Sequence, residues 1–301
     1  MQFLKFFCFK LYMKTIVINV IIFVALVSCK TDEENGLFIS GVTNQIINHD
    51  GTDREYIQYI PSNYDGTEKL PLLINFHGFG GKARNHMQAA DLRSLAESKG
   101  FVLVYPQGSD LNGFSHWNAA LKGGDNKSDV DDLGFIEALI NKLISQNLID
   151  NKRVYAIGYS NGGMMSYALG CYKSNLISAI GSVSGYMLQN DCNPSHSIPL
   201  IKIHGTNDYY DGGGVYNSVE FVINFWKNFN NISADPLIDN FNDNGMLIEK
   251  YSYSNDSNIL VEHYKVNGGD HVWFDFNYKG KKTNEIIWDF FSQFDIEGYR
   301  N

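Results

Sequence analysis

A serine sits between two glycines in Gly158-Tyr159-Ser160-Asn161-Gly162, after the apolar run at 154–157 and at the start of a helical pattern. A serine on a sharp turn between strand and helix can reach a carbonyl carbon, and flanking glycines leave room for the turn. Serine is a weak nucleophile at its free pKa. It therefore needs a base within hydrogen-bond reach and a third group that fixes the base's tautomer. Two later loops supply candidates in the order acid, then base. Asp208 ends His204-Gly205-Thr206-Asn207-Asp208, past the run at 200–203, and His271 ends Gly268-Gly269-Asp270-His271, past the run at 260–266. Asp211 is the rival acid, and Asp270 is a weaker one because it adjoins the histidine. His77 and His204 each precede a glycine at a strand end and read as packing or hydrogen-bonding residues rather than bases.

A tetrahedral intermediate needs two fixed N–H donors, one after the nucleophile and one from the loop after an early strand. Asn161 is the first, and Phe79 in His77-Gly78-Phe79-Gly80-Gly81 is the second. Rings on loops past strand ends, Phe79, Phe114, Trp117, Tyr209, Tyr210 and Trp273, could stack on a substrate, and Trp117, Trp273 and Tyr209 are the expected contacts. No metal or organic cofactor is expected: the histidines lack paired ligand spacing, and residues 240–245 lack the acids of a calcium loop.

The elements that must carry these loops alternate. Short apolar runs at 72–76, 101–105, 154–157, 179–183, 200–203 and 260–266 read as strands. Helical patterns fall at 85–98, 132–147, 162–171, 219–228 and 284–294. Such alternation implies a doubly wound, mostly parallel sheet. Residues 37–60, turned at Asp50-Gly51, predict an antiparallel N-terminal edge. Val130-Asp131-Asp132 reads as the start of a helix. The polar stretches 107–131 and 230–258 are long for loops.

Lysines flank an apolar run at 16–27 that is short for a bilayer span, so residues 1–28 read as a signal peptide, 29–36 as a tether and 37–301 as one catalytic domain. Leu26-Val27-Ser28-Cys29 resembles a bacterial lipobox, which implies lipidation of Cys29 and export to the outer membrane or cell surface. The net charge is −9 and becomes −12 without residues 1–28, which hold three lysines and no acid, so nucleic acid is excluded as a partner. The membrane is met only through the N-terminal lipid. Cys8 lies in the signal and Cys29 would carry lipid; Cys171 and Cys192 then read as one disulfide, with two buried thiols as the alternative.

Taken in order, HGFGG, YPQG, WNA, VDDLGF, GYSNGGMMSY, DCNP, HGTND and GGDHVW resemble the secreted esterases grouped as polyhydroxybutyrate depolymerases, feruloyl esterases and acetylxylan esterases. That resemblance implies an α/β-hydrolase fold, the triad Ser160, Asp208 and His271, oxyanion donors Phe79 and Asn161, and a Cys171–Cys192 bridge. It also implies a serine esterase that removes feruloyl or acetyl groups from polysaccharide or oligosaccharide. The competing readings are a polyhydroxyalkanoate depolymerase, a peptidase using the same triad, and a non-catalytic glycan-binding lipoprotein.

Overall fold

The computed structural model describes residues 38–121, 128–189, 191–209 and 217–300. The signal segment, the tether with Cys29, Tyr210 and Asp211 lie outside them. The main sheet comprises β1 (Gly41–His49), β2 (Thr52–Ile60), β3 (Leu70–Phe76), β4 (Val102–Pro106), β5 (Ile149–Tyr159), β6 (Ala179–Val183), β7 (Leu200–Gly205), β8 (Leu237–Asp243), β9 (Met246–Ser254) and β10 (Leu260–Val266). Their order across the sheet is β1-β2-β4-β3-β5-β6-β7-β10-β9-β8. From β4 to β10 neighbours run parallel, and the hairpins β1–β2 and β8–β9 add antiparallel strands at both edges. At the first hairpin Asp50 and Gly51 take φ of 50° and 76°, as a two-residue turn of this hand requires.

The helices are α1 (Ala83–Ala89), α2 (Arg93–Lys99), α3 (Asp132–Ser145), α4 (Asn161–Tyr172), α5 (Val219–Phe229) and α6 (Thr283–Phe291). Burial on both faces explains why the central strands are apolar throughout: β4 and β6 are buried along their whole length. Side chains alternate across the sheet, so Leu72, Ile74 and Phe76 join a core with Leu139 of α3, Met165 of α4 and Trp226 of α5. Leu73 points the other way, toward Met87 of α1, Ala96 of α2 and Ile287 of α6. Asp131 caps α3 by accepting from the Gly134 N–H at 2.9 Å, and Asp132, buried in the first turn, pairs with Arg54 at 2.6 Å.

The single helix expected at 85–98 is two. Tyr105 intervenes: its hydroxyl donates to the Ala90 carbonyl at 2.7 Å and accepts from the Leu92 N–H at 3.3 Å, ending one helix and starting the next. The polar stretch 230–258 contains β8 and β9, joined at Asn244-Gly245 with φ of 48° and 83°. In the stretch 107–131, Ser109–Leu111 pairs with Phe114–His116.

Cys171, at the end of α4, is bonded to Cys192 across a separation of 21 residues. Closing such a loop restricts the unfolded chain and stabilises the fold by about 3 kcal/mol in the chain-entropy model. Replacing both cysteines by serine should lower the unfolding free energy by about that amount in urea titrations. An unchanged midpoint and slope would show that the bridge adds nothing.

Candidate active site

β5 passes into α4 through Ser160, whose φ of 52° and ψ of −118° lie where non-glycine residues are rarely found. Such a conformation costs roughly 1–3 kcal/mol and persists only when its surroundings dictate it. Here the Ser160 N–H donates to the Val183 carbonyl at 2.9 Å, and the Ser160 carbonyl accepts from Met164 at 3.1 Å. A Cβ on Gly158 would lie 2.3 Å from the Gly162 carbonyl carbon, and one on Gly162 would lie 2.3 Å from the Phe76 oxygen. Both glycines are required for the first turn of α4 to rest against β3 and β5.

His271 Nε2 stands 2.8 Å from Ser160 Oγ, and its Nδ1 stands 2.8 Å from Asp208 Oδ2. The Asp208 side chain is wholly enclosed, while that of His271 is 31% exposed, open to a ligand. Tyr186 donates its hydroxyl to the Asp208 carbonyl at 2.8 Å and lies 3.3 Å from Oδ1. The histidine loop is pinned twice more, by Tyr159 Oη to the His271 carbonyl at 2.7 Å and Ser184 Oγ to the Val272 carbonyl at 2.9 Å. Gly205, at the end of β7, sits so near the Gly269 carbonyl that a Cβ would lie 2.1 Å from its oxygen. The acid and base loops thus meet backbone to backbone. With Nδ1–H given to Asp208, Nε2 can accept the serine proton. Asp270 is exposed and His271 Nδ1 is already engaged by Asp208.

The loop carrying Phe79 crosses the nucleophile closely, since a Cβ on Gly78 would lie 2.8 Å from the Tyr159 ring and 3.3 Å from Ser160 Cβ. His77 shapes this loop: Nδ1–H donates to the Gly78 carbonyl at 2.7 Å and Nε2 accepts from the Gly108 N–H at 2.9 Å. Burial lowers its pKa to about 4, so it stays neutral and holds the loop, as the sequence suggested. Among the described residues, the Phe79 and Asn161 amides donate to no protein group.

Trp117 requires a correction. A tryptophan in a long polar stretch suggested a substrate contact, but the residue is 1% exposed and its ring packs edge-on against Phe76, with centroids 5.1 Å apart. Its indole N–H donates to the His77 carbonyl at 3.0 Å. Its backbone N–H donates to Asn161 Oδ1 at 2.7 Å, and its carbonyl accepts from Asn161 Nδ2 at 3.0 Å. Trp117 therefore ties the segment bearing the Phe79 amide to the segment bearing the Asn161 amide.

Trp273 is half-buried, its indole N–H donated to Asn284 at 3.3 Å and its ring edge-on to His86. It lines a groove of about 530 Å³ with Leu95, Phe274 and Asn284, and no triad residue lines that groove. Tyr209, beside the acid, is 81% exposed and available to a ligand. The sequence reading gave little weight to Phe114: it is exposed, and stacks on exposed Phe79 at 5.6 Å with planes 23° apart. The backbone link from the Gly80 N–H to the Ser115 carbonyl at 2.7 Å brings the two rings together. The described residues include one grouping with metal-ligand atoms close together, His49, Asp50 and Asp131, but it sits at the β1–β2 turn, where Asp131 already caps α3.

The chain is similar to several known proteins. A bifunctional acetylxylan esterase/xylanase of Neocallimastix patriciarum is 29% identical over 254 residues, covering 82% of this chain, which spans about a third (34%) of that protein. A probable feruloyl esterase C of Aspergillus clavatus is 31% identical over 203 residues, 65% of this chain and 69% of that protein. The solved acetyl xylan esterase from Aspergillus awamori superposes with a TM-score of 0.62 at 14% identity, covering 83% of this chain and 99% of that one, a likeness of fold. Residues 64–236, from before Phe79 to beyond Asp208, match the phospholipase/carboxylesterase model, and the chain belongs to that family of α/β-hydrolases.

Proposed function

We propose that the protein hydrolyses carboxylic esters through an acyl-enzyme. The observation that carries this reading is the continuous set of contacts from Asp208 through His271 to Ser160, each at 2.8 Å. Ser160 attacks the ester carbonyl as His271 takes its proton, and Asp208 steadies the resulting imidazolium. The amides of Phe79 and Asn161 receive the developing oxyanion. His271 then protonates the departing alcohol, and water attacks the acyl-enzyme by the same route in reverse.

The acyl group we favour is feruloyl or acetyl on a polysaccharide or oligosaccharide. The relatives' names point to these esters, and the exposed Phe79–Phe114 stack offers a flat apolar wall beside the oxyanion loop. We further propose export and lipid attachment at Cys29, supported by the apolar run at 16–27 and by a disulfide suited to an oxidising compartment. Labelling with an alkyne fatty acid should mark the protein and fail for Cys29→Ala; an unlabelled wild type would refute the anchor.

Ser160→Ala should abolish p-nitrophenyl acetate hydrolysis with the fold intact, and Asp208→Asn should lower kcat by about 10⁴-fold. Trp117→Phe, which keeps the packing but loses the bond to the His77 carbonyl, should lower kcat by roughly tenfold with KM little changed, as expected for a loosened oxyanion hole. Full activity in Ser160→Ala would overturn the triad.

Methyl ferulate, acetylated xylan and a hydroxybutyrate oligomer compared by kcat/KM would decide the acyl class. Phe114→Ala should cost methyl ferulate about tenfold, some 1.4 kcal/mol, and the acetyl ester less than about twofold. A hydroxybutyrate oligomer preferred by about tenfold or more would favour the polyester depolymerase instead.

A further inference from the structure

β7 carries a lysine where the sheet offers only core. Lys202 is fully buried in the middle of the strand, between two parallel neighbours, β6 and β10. Leaving such a side chain unpartnered would be costly, so where its nitrogen goes is informative. Nζ donates to the Gly185 carbonyl at 2.6 Å and to His204 Nδ1 at 3.2 Å. On the far side of that imidazole, His204 Nε2 lies 3.3 Å from Asp208 Oδ2, within electrostatic reach though off the line of a good hydrogen bond. The same Oδ2 receives His271 Nδ1.

We propose that Lys202 and His204 are positioning residues for the acid of the triad: by donating to His204 Nδ1, Lys202 confines the His204 proton to Nε2, where it faces the Asp208 carboxylate. A lysine nitrogen has N–H to give in either protonation state, so the tautomer is set whether it is ammonium or amine. The opposite tautomer would turn a lone pair toward the carboxylate, and Asp208 would lose one favourable contact beside those it makes with His271 and Tyr186. The inference rests on the triad reading above and extends it inward by two residues.

The surroundings fit this arrangement. Burial depresses His204 strongly, keeping it neutral, and lowers Lys202 to about 7, against which the charge of Asp208 works. His263, in register with Lys202 on β10, is likewise held neutral by burial, at about 3. Tyr167 of α4 places its ring 5.7 Å from Nζ, and Tyr186 packs edge-on against His204 at 4.9 Å while bonding to Asp208. Apart from the triad itself, the groups facing Lys202 and His204 among the described residues are thus neutral rings and backbone carbonyls.

Lys202→Met fills the same volume without the charge. Since replacing a buried ion by an apolar side chain is often neutral or stabilising, Tm should hold or rise. The variant should nevertheless lose roughly tenfold in kcat with KM within about twofold. Adding His204→Gln to Lys202→Met restores an N–H facing Asp208 without a tautomer to choose. That double variant should regain at least about threefold in kcat. A wild-type kcat in Lys202→Met, a loss that merely follows its folded fraction, or no recovery in the double variant would overturn the proposal. Activity surviving in Ser160→Ala would instead sink the triad reading, so the two failures are distinct.

Discussion

The turn at Ser160 exists because the residues two before and two after it have no side chains. Gly158 and Gly162 let α4 approach β3 and β5 to backbone contact, and that approach forces the serine into positive φ. Everything else in the site is referred to this point. The Phe79 loop leaves β3 at the same place and crosses the serine through a third close contact at Gly78. The base and acid arrive from the opposite side, on loops that themselves meet without side chains at Gly205 and Gly269. Close packing at a few glycines, rather than any long side chain, sets the distances of the site. The strain it stores in one residue is offset by the burial of a continuous apolar helix against the sheet.

A second layer then keeps the loops from drifting. Tyr159, Ser184 and Tyr186 each give a hydroxyl to the loops of His271 or Asp208, while His77, Trp117 and Asn161 join the segments that bear the Phe79 and Asn161 amides. These are neutral groups with satisfied donors, so they hold position without adding charge near the nucleophile. Preorganised donors of this kind are what an oxyanion site requires, because nothing need reorient as charge develops.

How far the molecule could be read from its residues depended on whether the signal was local. The serine, acid and base each sit beside a glycine-marked loop after an apolar run, and the structure brings all three together. The doubly wound sheet followed from alternation, and the N-terminal hairpin from Asp50-Gly51. Trp117 misled because a polar neighbourhood suggests exposure, whereas its indole N–H is satisfied by a carbonyl more than thirty positions earlier. The break between α1 and α2 likewise depends on Tyr105, a residue of the next strand. The β8–β9 hairpin left a local clue in Asn244-Gly245, but β8 is an edge strand whose exposed and half-buried positions obscure the period of two. Lys202 reads as an interruption of an apolar strand until its partners are seen.

The parallel core also fixes when the site comes into being. Ser160, Asp208 and His271 follow one another along the chain, and β10, which delivers the histidine, pairs with β7 only after more than fifty intervening residues have been made. During synthesis the nucleophile has no base, and its elbow has no completed sheet to hold it. Contacts this distant in sequence form late and slowly. Ser160 therefore acquires its neighbours His271 and Asp208 only when the last strand of the parallel core is in place.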